Sequence, residues 1–469
     1  MNKKFLATLL LLSIFSLAVL GGCQRRGGGN TTALPEVTLT FYGLFDNQDV
    51  YQPIIDGYED SHPNVTILYK KFTDPEDYMD LIVNELAEGE GPDLFMLHNT
   101  WFPKHYKKLT PAPSTMVDPA VFRDSFVDVT AGDIIIPDEN GVEQVWGMPL
   151  YVDTLGLYYN DAHFEDAIPS QGAPSTTWSG IESDIAKLTK EDQSFERFSR
   201  AGIALGRGDN ILRSFDVLLM LMMQYEASFY TGDYTSVLFG TDANALSALN
   251  FFTSFGLPSQ KNYSWNKYLA DSESEEKELT TFAKGKVSMI FGYSYTYQDL
   301  INEINRLKQE DEDTIDWQDI KIQEAPQIID PETSAETRVV YASYFVPVVG
   351  RTSEHSEEAW DFLLYMISEE NLRTYNETTH RPSALRSLIT EQTQDPIYGV
   401  FASQVGFADS LTMADADAYK EIFLDGIEDI LGTSKAETVL KTMATLVQAL
   451  IPSSGIKPTY VAPQDETVE

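Results

Sequence analysis

The sequence predicts an α/β protein of two lobes, each a β-sheet covered by helices. Three observations lead to this fold class. Residues 36–97 alternate between strand-like and helix-like patterns. The chain has 469 residues, more than one hydrophobic core usually supports, and 43% of them are hydrophobic, which is enough for two cores.

The first part of the chain reads as β-α-β-α-β. Strands are predicted at 36–45, 64–72 and 93–97, and helices at 49–60 and 75–89. The third strand, DLFML, is continuously apolar, as expected of a buried parallel strand. Ligands of such sheets bind beyond the carboxyl ends of the strands. The residues that follow the first and third strands are Leu44, Phe45, Asp46, Asn47, His98, Asn99, Thr100 and Trp101.

The later pattern is more helical. The predicted elements are an extended segment at 147–160, a helix at 177–189, a buried helix at 213–229, a strand leading into an aromatic loop at 285–297, and a helix pair at 356–375 with a cap at Ser368. Trp178 and Trp360 lie within helical patterns, so we assign both to the core.

The chain is strongly acidic, with a formal net charge of −39. Such a surface repels phosphate backbones and anionic lipid, so we expect no nucleic-acid partner. The negative charge does not exclude a neutral or a cationic ligand. The acidic runs 271–278 and 309–316 are interpreted as solvated loops or helix faces, and no calcium-loop spacing supports a metal site.

The N-terminus holds the single cysteine, Cys23. A short basic start precedes an apolar stretch, Phe5 to Leu20, typical of a secretory signal. Leu20-Gly21-Gly22-Cys23 resembles the bacterial lipoprotein box, which implies a signal peptide at 1–22 and an acylated (palmitate-bearing) Cys23. The alternative is an ordinary signal peptide followed by a chance cysteine. We expect a flexible tether at 23–35, a disordered tail at 453–469, and a lipid-anchored protein on the extracytoplasmic side of the cell membrane.

Several segments, in this order, resemble the extracellular solute-binding proteins of ABC importers, in particular the carbohydrate branch (family 1) that includes maltose-binding protein. They are HPNV at 62–65, GPDLFML at 91–97 with Trp101, WGMPLYVDTLGLYYND at 146–161, TTW at 176–178, GKVSMIFGYSY at 285–295, and AWDFLLYMISEENLRTYNETTHRPS at 359–383. The resemblance runs from about Val37 to about Leu450.

The resemblance implies a periplasmic-binding-protein-like fold in which a hinge joins two α/β lobes around a ligand cleft. Crossovers would lie near 151–157 and 338–345. The first lobe would comprise 36–150 plus about 340–390, and the second 151–339 plus about 391–452.

The resemblance also implies which residues contact the ligand: Phe45, Asp46, Asn47, Asn99, Trp101, Tyr151, Asp153, Tyr293, Tyr295 and Arg381. Structural roles are open for several of them. Trp101 could cap the first lobe's core, Asp153 could bind backbone amides, and Arg381 is favoured as a brace. Tyr293 and Tyr295, two apart on an apparent strand, would both line the cleft or both pack in the second lobe.

The predicted function is capture of a small polar solute, a sugar or oligosaccharide, and its delivery to ABC permease subunits. Hinge closure would signal the loaded state, and ATP would be hydrolysed elsewhere because the chain lacks GxxxxGK[ST]. We expect a monomer with no cofactor, no metal and no catalysis. The alternatives are a glycoside hydrolase that uses Asp46 and Asp153, and a lipoprotein that binds a protein partner.

Overall fold

The computed structural model describes residues 34–138, 140–192, 198–328 and 338–456. The chain divides into two units, Met1–Val37 and Thr38–Glu469. The sheets and helices belong to the second unit, apart from the first residue of the first strand. The predicted signal peptide, Cys23, the tether up to residue 33 and the tail from residue 457 lie outside the described residues.

The strands are short, as is usual for α/β proteins. They are β1 Val37–Leu44, β2 Val65–Phe72, β3 Leu94–His98, β4 Ile135–Pro137, β5 Glu143–Val145, β6 Asp153–Thr154, β7 Gly156–Asn160, β8 Lys190–Glu191, β9 Phe198–Arg200, β10 Met289–Gly292, β11 Ile320–Glu324, β12 Val340–Ser343, β13 Phe345–Val349 and β14 Ala408–Asp409.

The helices account for most of the regular structure. They are α1 Gln48–Ser61, α2 Pro75–Glu88, α3 Phe102–His105, α4 Pro119–Ser125, α5 Asp128–Ile134, α6 Asp161–Ala167, α7 Trp178–Leu188, α8 Ser214–Gln224, α9 Ala243–Ser254, α10 Lys277–Ala283, α11 Thr296–Gln309, α12 Ser356–Met366, α13 Glu369–Thr379, α14 Arg386–Gln392, α15 Gly399–Gln404, α16 Ala416–Leu431 and α17 Ala436–Leu450.

The first sheet has the strand order β13-β3-β1-β2, and we call the part built on it the first lobe. The predicted β-α-β-α-β series is confirmed, with β1 parallel to β3. The alternation in β1 is also confirmed, because Val37, Leu39 and Phe41 are buried. β13 comes from much later in the chain and pairs antiparallel with β3, so Phe345 lies opposite His98. The end of β3 therefore acquires a neighbour that the local sequence does not reveal.

The second sheet has the order β10-β7-β11, and we call the part built on it the second lobe. Both outer strands run antiparallel to β7. Helix α8 packs into the core beside it, and Met220 and Met222 are fully buried there, as the uniformly apolar sequence predicts. Trp178 and Trp360 are also buried, which confirms their assignment to the core.

A third, small sheet connects the chain segments that pass between the two lobes. β12 is its central strand, antiparallel to β6 and parallel to β14. β6 and β12 fall in the two predicted crossovers. β14 was not predicted, because a two-residue strand has no detectable periodicity. We call β6, β12 and β14 the hinge strands.

Two local predictions need correction. The strand predicted to lead into the aromatic loop ends at Gly292, so Tyr293 and Tyr295, which were placed on an apparent strand, lie in a turn before α11. Thr296 causes the turn: its Oγ1 accepts the Tyr293 N–H, while its own N–H donates to the Tyr293 carbonyl. In the acidic run 271–278, Glu278 is buried on α10 rather than solvated.

The end of the described chain packs against the second lobe. Ile456 is buried, and its N–H donates to the Tyr234 carbonyl at 3.1 Å. The packed body therefore extends at least to Ile456, beyond the predicted start of the tail at residue 453.

Candidate ligand-binding cleft

Aromatic rings form a continuous wall at the carboxyl end of the first sheet. The Phe345 ring centroid lies 5.8 Å from Phe45, 5.8 Å from Trp101 and 4.9 Å from His98. Phe45 follows β1 with a positive φ of 70° and is 44% exposed, so its ring projects from the sheet edge. We call Phe45, Trp101 and Phe345 the aromatic wall. It provides flat apolar surface where a ligand of this fold is expected.

Asn99 holds the aromatic wall in place rather than facing a ligand. Its side chain is buried, and its Nδ2 donates to Asp133 Oδ2 at 3.0 Å. Its backbone N–H donates to the Tyr344 carbonyl at 2.9 Å, and its Oδ1 accepts the Tyr344 N–H at 3.3 Å. The amide is therefore fully engaged by protein groups, which makes Asn99 a structural residue.

His98 lies behind the wall as a neutral imidazole. Its Nε2 is 2.9 Å from Ser343 Oγ, and its Nδ1 is 2.7 Å from Thr100 Oγ1. Burial, together with the positive charges of Arg213 and Lys420, lowers the pKa of His98 to about 3. These two cations belong to the second lobe, and the ion pair of Lys104, shortly after Trp101, with Asp415 brings that lobe against this edge of the first sheet.

The second lobe presents a polar wall centred on Arg213. Its guanidinium lies 5.2 Å from the Tyr293 ring centroid and 5.6 Å from that of Tyr295, and it donates to the Tyr295 hydroxyl. Tyr293 Oη donates to Asp216 Oδ2 at 3.0 Å, while Arg213 Nη1 stays 3.9 Å from the same carboxylate oxygen. We call Arg213, Asp216 and Tyr295 the polar wall.

The two tyrosines differ more than the sequence suggested. Tyr293 is 1% exposed, whereas Tyr295 is 38% exposed, although their rings stack 5.9 Å apart. The turn rotates one ring into the core and leaves the other at the surface. The prediction that both rings line the cleft or both pack in the second lobe is therefore wrong. The Arg213 guanidinium lies against both rings.

Asp46 and Arg381 form an ion pair at the edge of the first sheet. Arg381 Nη1 lies 2.8 Å from Asp46 Oδ2, and Nη2 lies 2.9 Å from Oδ1. Tyr51 and Tyr375 donate their hydroxyls to the same carboxylate, and the guanidinium stacks 4.5 Å from the Tyr151 ring centroid. All these groups are buried or nearly so, which makes Arg381 the brace that the sequence favoured.

Asp153 is also occupied by protein groups. It lies on hinge strand β6 and is 1% exposed. Its carboxylate accepts the backbone N–H of Thr154, and the N–H and hydroxyl of Ser294. Burial raises its pKa to about 6, against the lowering effect of these hydrogen bonds. Asp153 thus ties the hinge to the turn that carries Tyr293 and Tyr295.

Asn47 stays at the surface, where its Oδ1 accepts a hydrogen bond from Lys71 at 2.7 Å. Tyr151 is buried, and its hydroxyl accepts the Phe345 N–H at 3.2 Å. Of the predicted site residues, Phe45, Trp101 and Tyr295 therefore offer side-chain surface to a ligand. The others support them from behind or lie beside them.

Two contacts link the lobes across the cleft. Lys104 Nζ, just after the aromatic wall, lies 2.6 Å from Asp415 Oδ2 at the start of α16. Trp101 also lies close enough to Asp417 on the same helix for its side chain to act on that carboxyl, lowering its pKa against the larger effect of burial. The start of helix α16 therefore contacts the first lobe beside Trp101.

Sequence reasoning missed Phe345, Arg213 and Asp216. Phe345 was inside a predicted crossover but showed no binding pattern, because its position depends on β13 pairing with β3. Arg213 and Asp216 flank the start of α8, and their charges in an otherwise apolar segment were the available signal. The turn after β10 then brings Tyr295 to Arg213.

Within the described residues, no cluster of three or more His, Cys, Asp or Glu side chains has the arrangement of a metal site. Among the same residues, no helix is long and apolar enough to cross a bilayer. The two carboxylates considered for glycoside hydrolysis, Asp46 and Asp153, are both held by hydrogen bonds from neighbouring residues.

Two α/β lobes, hinge strands between them and facing aromatic and polar walls define a protein that takes up a solute between its lobes. Residues 54–398 match the bacterial extracellular solute-binding protein family, and the chain belongs to this family. Membership confirms the resemblance seen in the sequence and assigns the chain to solute binding rather than catalysis. No curated protein is significantly similar to this chain.

Solved structures share its fold at low sequence identity. The sugar-binding protein MalE from Xanthomonas citri is 15% identical with a TM-score of 0.69, over 88% of this chain and 97% of its own. The cyclic α-maltosyl-1,6-maltose binding protein from Arthrobacter globiformis is 17% identical with a TM-score of 0.68, over 88% of this chain and 99% of its own. An ABC substrate-binding protein from Listeria monocytogenes, solved with cycloalternan, is 14% identical with a TM-score of 0.66, over 88% of this chain and 98% of its own. These matches confirm the predicted periplasmic-binding-protein fold.

Proposed function

We propose that this protein captures a sugar or oligosaccharide between its lobes and delivers it to the permease of an ABC importer. One observation carries the proposal: the aromatic wall of Phe45, Trp101 and Phe345 lies at the edge of the first lobe where Lys104 pairs with Asp415 of the second lobe, which also carries the polar wall centred on Arg213. The proposed ligand contacts are Phe45, Trp101, Phe345, Tyr295 and Arg213.

A carbohydrate requires two kinds of surface. Its C–H faces pack on aromatic rings, while its hydroxyl edges need hydrogen-bond donors and acceptors. Each stacked ring contributes about 1 kcal/mol beyond area burial. The Arg213 guanidinium adds charge-assisted hydrogen bonds, which are stronger than neutral ones. Several such contacts together reach the roughly 8 kcal/mol of micromolar affinity.

The ligands of structural relatives support a saccharide. The Listeria monocytogenes relative was solved with cycloalternan, and a relative from Thermotoga lettingae with α-D-tagatose. These ligands span a cyclic oligosaccharide and a monosaccharide, so the shared fold leaves the size of the sugar open. The turn after β10, GYSYTY, contains tyrosines but no tryptophan. We therefore propose the class of ligand and not a particular sugar.

Delivery requires that the loaded and empty states differ. We propose that the lobes rotate about β6, β12 and β14, and that the ligand favours closure by contacting both walls. The contacts of Lys104 with Asp415 and of Trp101 with Asp417 would strengthen as the cleft closes. The permease would then read the outer surface of the closed form.

The membrane location rests on the N-terminal sequence. We propose that Cys23, preceded by Leu20-Gly21-Gly22, carries the lipid that anchors the protein to the extracytoplasmic face of the cell membrane. The glycine-rich segment after it would act as a tether that gives the folded body reach toward the permease.

A thermal-shift screen of the purified protein against monosaccharides and oligosaccharides tests the proposal. A saccharide that binds the folded state raises the melting temperature, and the rise grows with the logarithm of the ligand excess. Product analysis of the same samples should reveal no cleavage. If amino acids, peptides or polyamines shift the melting temperature while no saccharide does, the proposed ligand class is wrong.

A further inference from the structure

The buried carboxylate of Asp133 receives hydrogen bonds from three separate parts of the chain. Asp133 lies on α5 and is 6% exposed. Its Oδ2 accepts Asn99 Nδ2 at 3.0 Å and Tyr344 Oη at 2.6 Å, and its Oδ1 accepts Ser410 Oγ at 2.5 Å. Both oxygens are therefore used, and each donor comes from a different segment.

These segments are the ones that must move together if the lobes rotate. Asn99 begins the turn that carries Trp101 into the aromatic wall. Tyr344 lies between hinge strand β12 and β13, and Ser410 directly follows hinge strand β14. The side chain of Asp133 thus joins the ligand-facing loop of the first lobe to two of the three hinge strands.

We propose that Asp133 is a positioning residue that couples the aromatic wall to the hinge and thereby sets the resting angle between the lobes. The inference rests on the hinge motion proposed above. It adds that one carboxylate on α5 transmits a displacement of the Trp101 loop to β12 and β14.

A carboxylate suits this role better than its amide. An ionised carboxylate only accepts hydrogen bonds, so it satisfies donors from Asn99, Tyr344 and Ser410 at once. An asparagine in its place keeps one acceptor oxygen and turns an NH2 group toward at least one of these donors. A buried donor that faces another donor destabilises the folded state, so the local structure rearranges until the donors find acceptors.

The surroundings leave room for such a rearrangement. A cavity of about 380 Å³ lies beside the junction, lined among others by Gly132, Asp133, Asp409 and Ser410. Helix α5 is therefore not packed solidly against the segment after β14. The hydrogen bond between Asp133 and Ser410 is the direct link across this gap.

Inter-lobe distances measured by double electron–electron resonance test the proposal without any ligand. Cys23→Ser removes the native thiol, and spin labels replace two exposed residues, Val121 on α4 of the first lobe and Leu446 on α17 of the second. Ser410→Ala and Asp133→Asn are compared with Asp128→Asn, a matched control on the same helix whose carboxylate is 86% exposed.

We expect Ser410→Ala and Asp133→Asn to broaden the inter-lobe distance distribution and add a longer component, while Asp128→Asn leaves it unchanged. Ser410→Ala loses a single hydrogen bond, so its melting temperature should fall by about 4 °C or less. Tyr344→Phe, which removes another of the three donors, should broaden the distribution as well. Ser410→Ala therefore remains informative if Asp133→Asn does not fold.

A different pattern would overturn the inference. If the folded Ser410→Ala and Tyr344→Phe variants keep the wild-type distance distribution and only melt earlier, Asp133 is a structural residue with no role in the hinge. A saccharide screen without a hit contradicts the proposed function but leaves this measurement intact, so the two failures are distinguishable.

Discussion

Asp46 and Arg381 lie 335 positions apart in the chain, yet the two carboxylate oxygens of Asp46 accept hydrogen bonds from both terminal nitrogens of Arg381. The pair fixes the loop after β1 to the segment after α13, directly behind Phe45. Tyr51 and Tyr375 complete the coordination of the carboxylate. This edge of the first sheet is therefore held together by hydrogen bonds among protein groups.

Arg381→Ala should destabilise the protein strongly. The side chains of the pair are only 12% and 10% exposed, so the substitution leaves Asp46 buried without its cation. Such a loss costs about 3–5 kcal/mol. Urea unfolding measures it, and Arg386→Ala is the control, because its pair with Asp128 is largely exposed and worth at most about 1 kcal/mol. Equal effects of the two substitutions would contradict a structural role for the buried pair.

Trp101→Ala should weaken binding of any saccharide found in the screen by about tenfold or more, because it removes one stacking surface of the aromatic wall. Isothermal titration calorimetry provides the affinity. Tyr58→Phe is the matched control: Tyr58 is buried in the first lobe, and its hydroxyl donates to Asp361 on α12, which belongs to neither wall. It should lower stability by about 1–2 kcal/mol and leave affinity nearly unchanged. The reverse pattern would place the ligand elsewhere.

Arg213→Gln should reduce saccharide affinity by about 10- to 100-fold, since hydrogen bonds to a charged group contribute roughly 1.5–3 kcal/mol. Arg213→Lys should recover part of the loss, because the charge remains but the planar donor arrangement does not. Arg306→Gln, on the exposed face of α11, is the control in the same lobe. Unaltered affinity in Arg213→Gln would show that the polar wall does not contact the sugar.

His98 should make the protein less stable in acid. Its pKa is about 3 in the folded state, below its ordinary value of 6.5, so the unfolded chain binds the proton more readily. The stability that neutral His98 contributes is complete above pH 6.5 and is lost as the pH falls toward 3. Replacement by asparagine, which does not titrate, should flatten this part of the stability profile in urea unfolding at about pH 7 and about pH 4.5.

Asp153 provides a control of opposite sign for that experiment. Burial raises its pKa to about 6, so its contribution is present in acid and is lost as the pH rises through 6. Acidification should therefore stabilise the wild-type protein through Asp153, and the Asp153→Asn variant should lack this gain in stability. The His98→Asn variant should instead lack the loss of stability that protonation of His98 causes. Identical pH profiles for the two variants would refute both assignments.

Cys23→Ser should release the protein from the membrane fraction and abolish incorporation of labelled palmitate. The single thiol of the chain is the only position where a thioether-linked lipid can attach. Cell fractionation with immunodetection reads out the result. Retention of Cys23→Ser in the membrane fraction at wild-type levels would mean that another segment anchors the chain.

Much of the fold followed from periodicity. The β-α-β-α-β series at the start of the chain, the buried helix α8 and the core tryptophans were predicted because local alternation and apolar runs are properties of neighbouring residues. Of the proposed aromatic wall, Phe45 and Trp101 were predicted for the related reason that the residues after parallel strands meet at one sheet edge.

The partners of these residues could not be found in the same way. Phe345 enters the aromatic wall only because β13 pairs with β3, and Arg213 reaches Tyr295 only because the turn at Thr296 redirects the chain. Asn99, Asp153 and Arg381 were placed near the cleft, but their hydrogen-bond partners turned them into supports. A carboxylate or amide binds whichever donor the fold brings close, and sequence spacing does not contain that information.

The sequence by itself determined the class of fold, the family and the edge of the sheet where a ligand should bind, because each depends on patterns within short segments. The tertiary structure alone decided which side chains face the cleft and which form hydrogen bonds within the protein that support it. That choice depends on contacts such as Asp46 with Arg381 and Asp133 with Ser410, which are formed only when distant segments pack together.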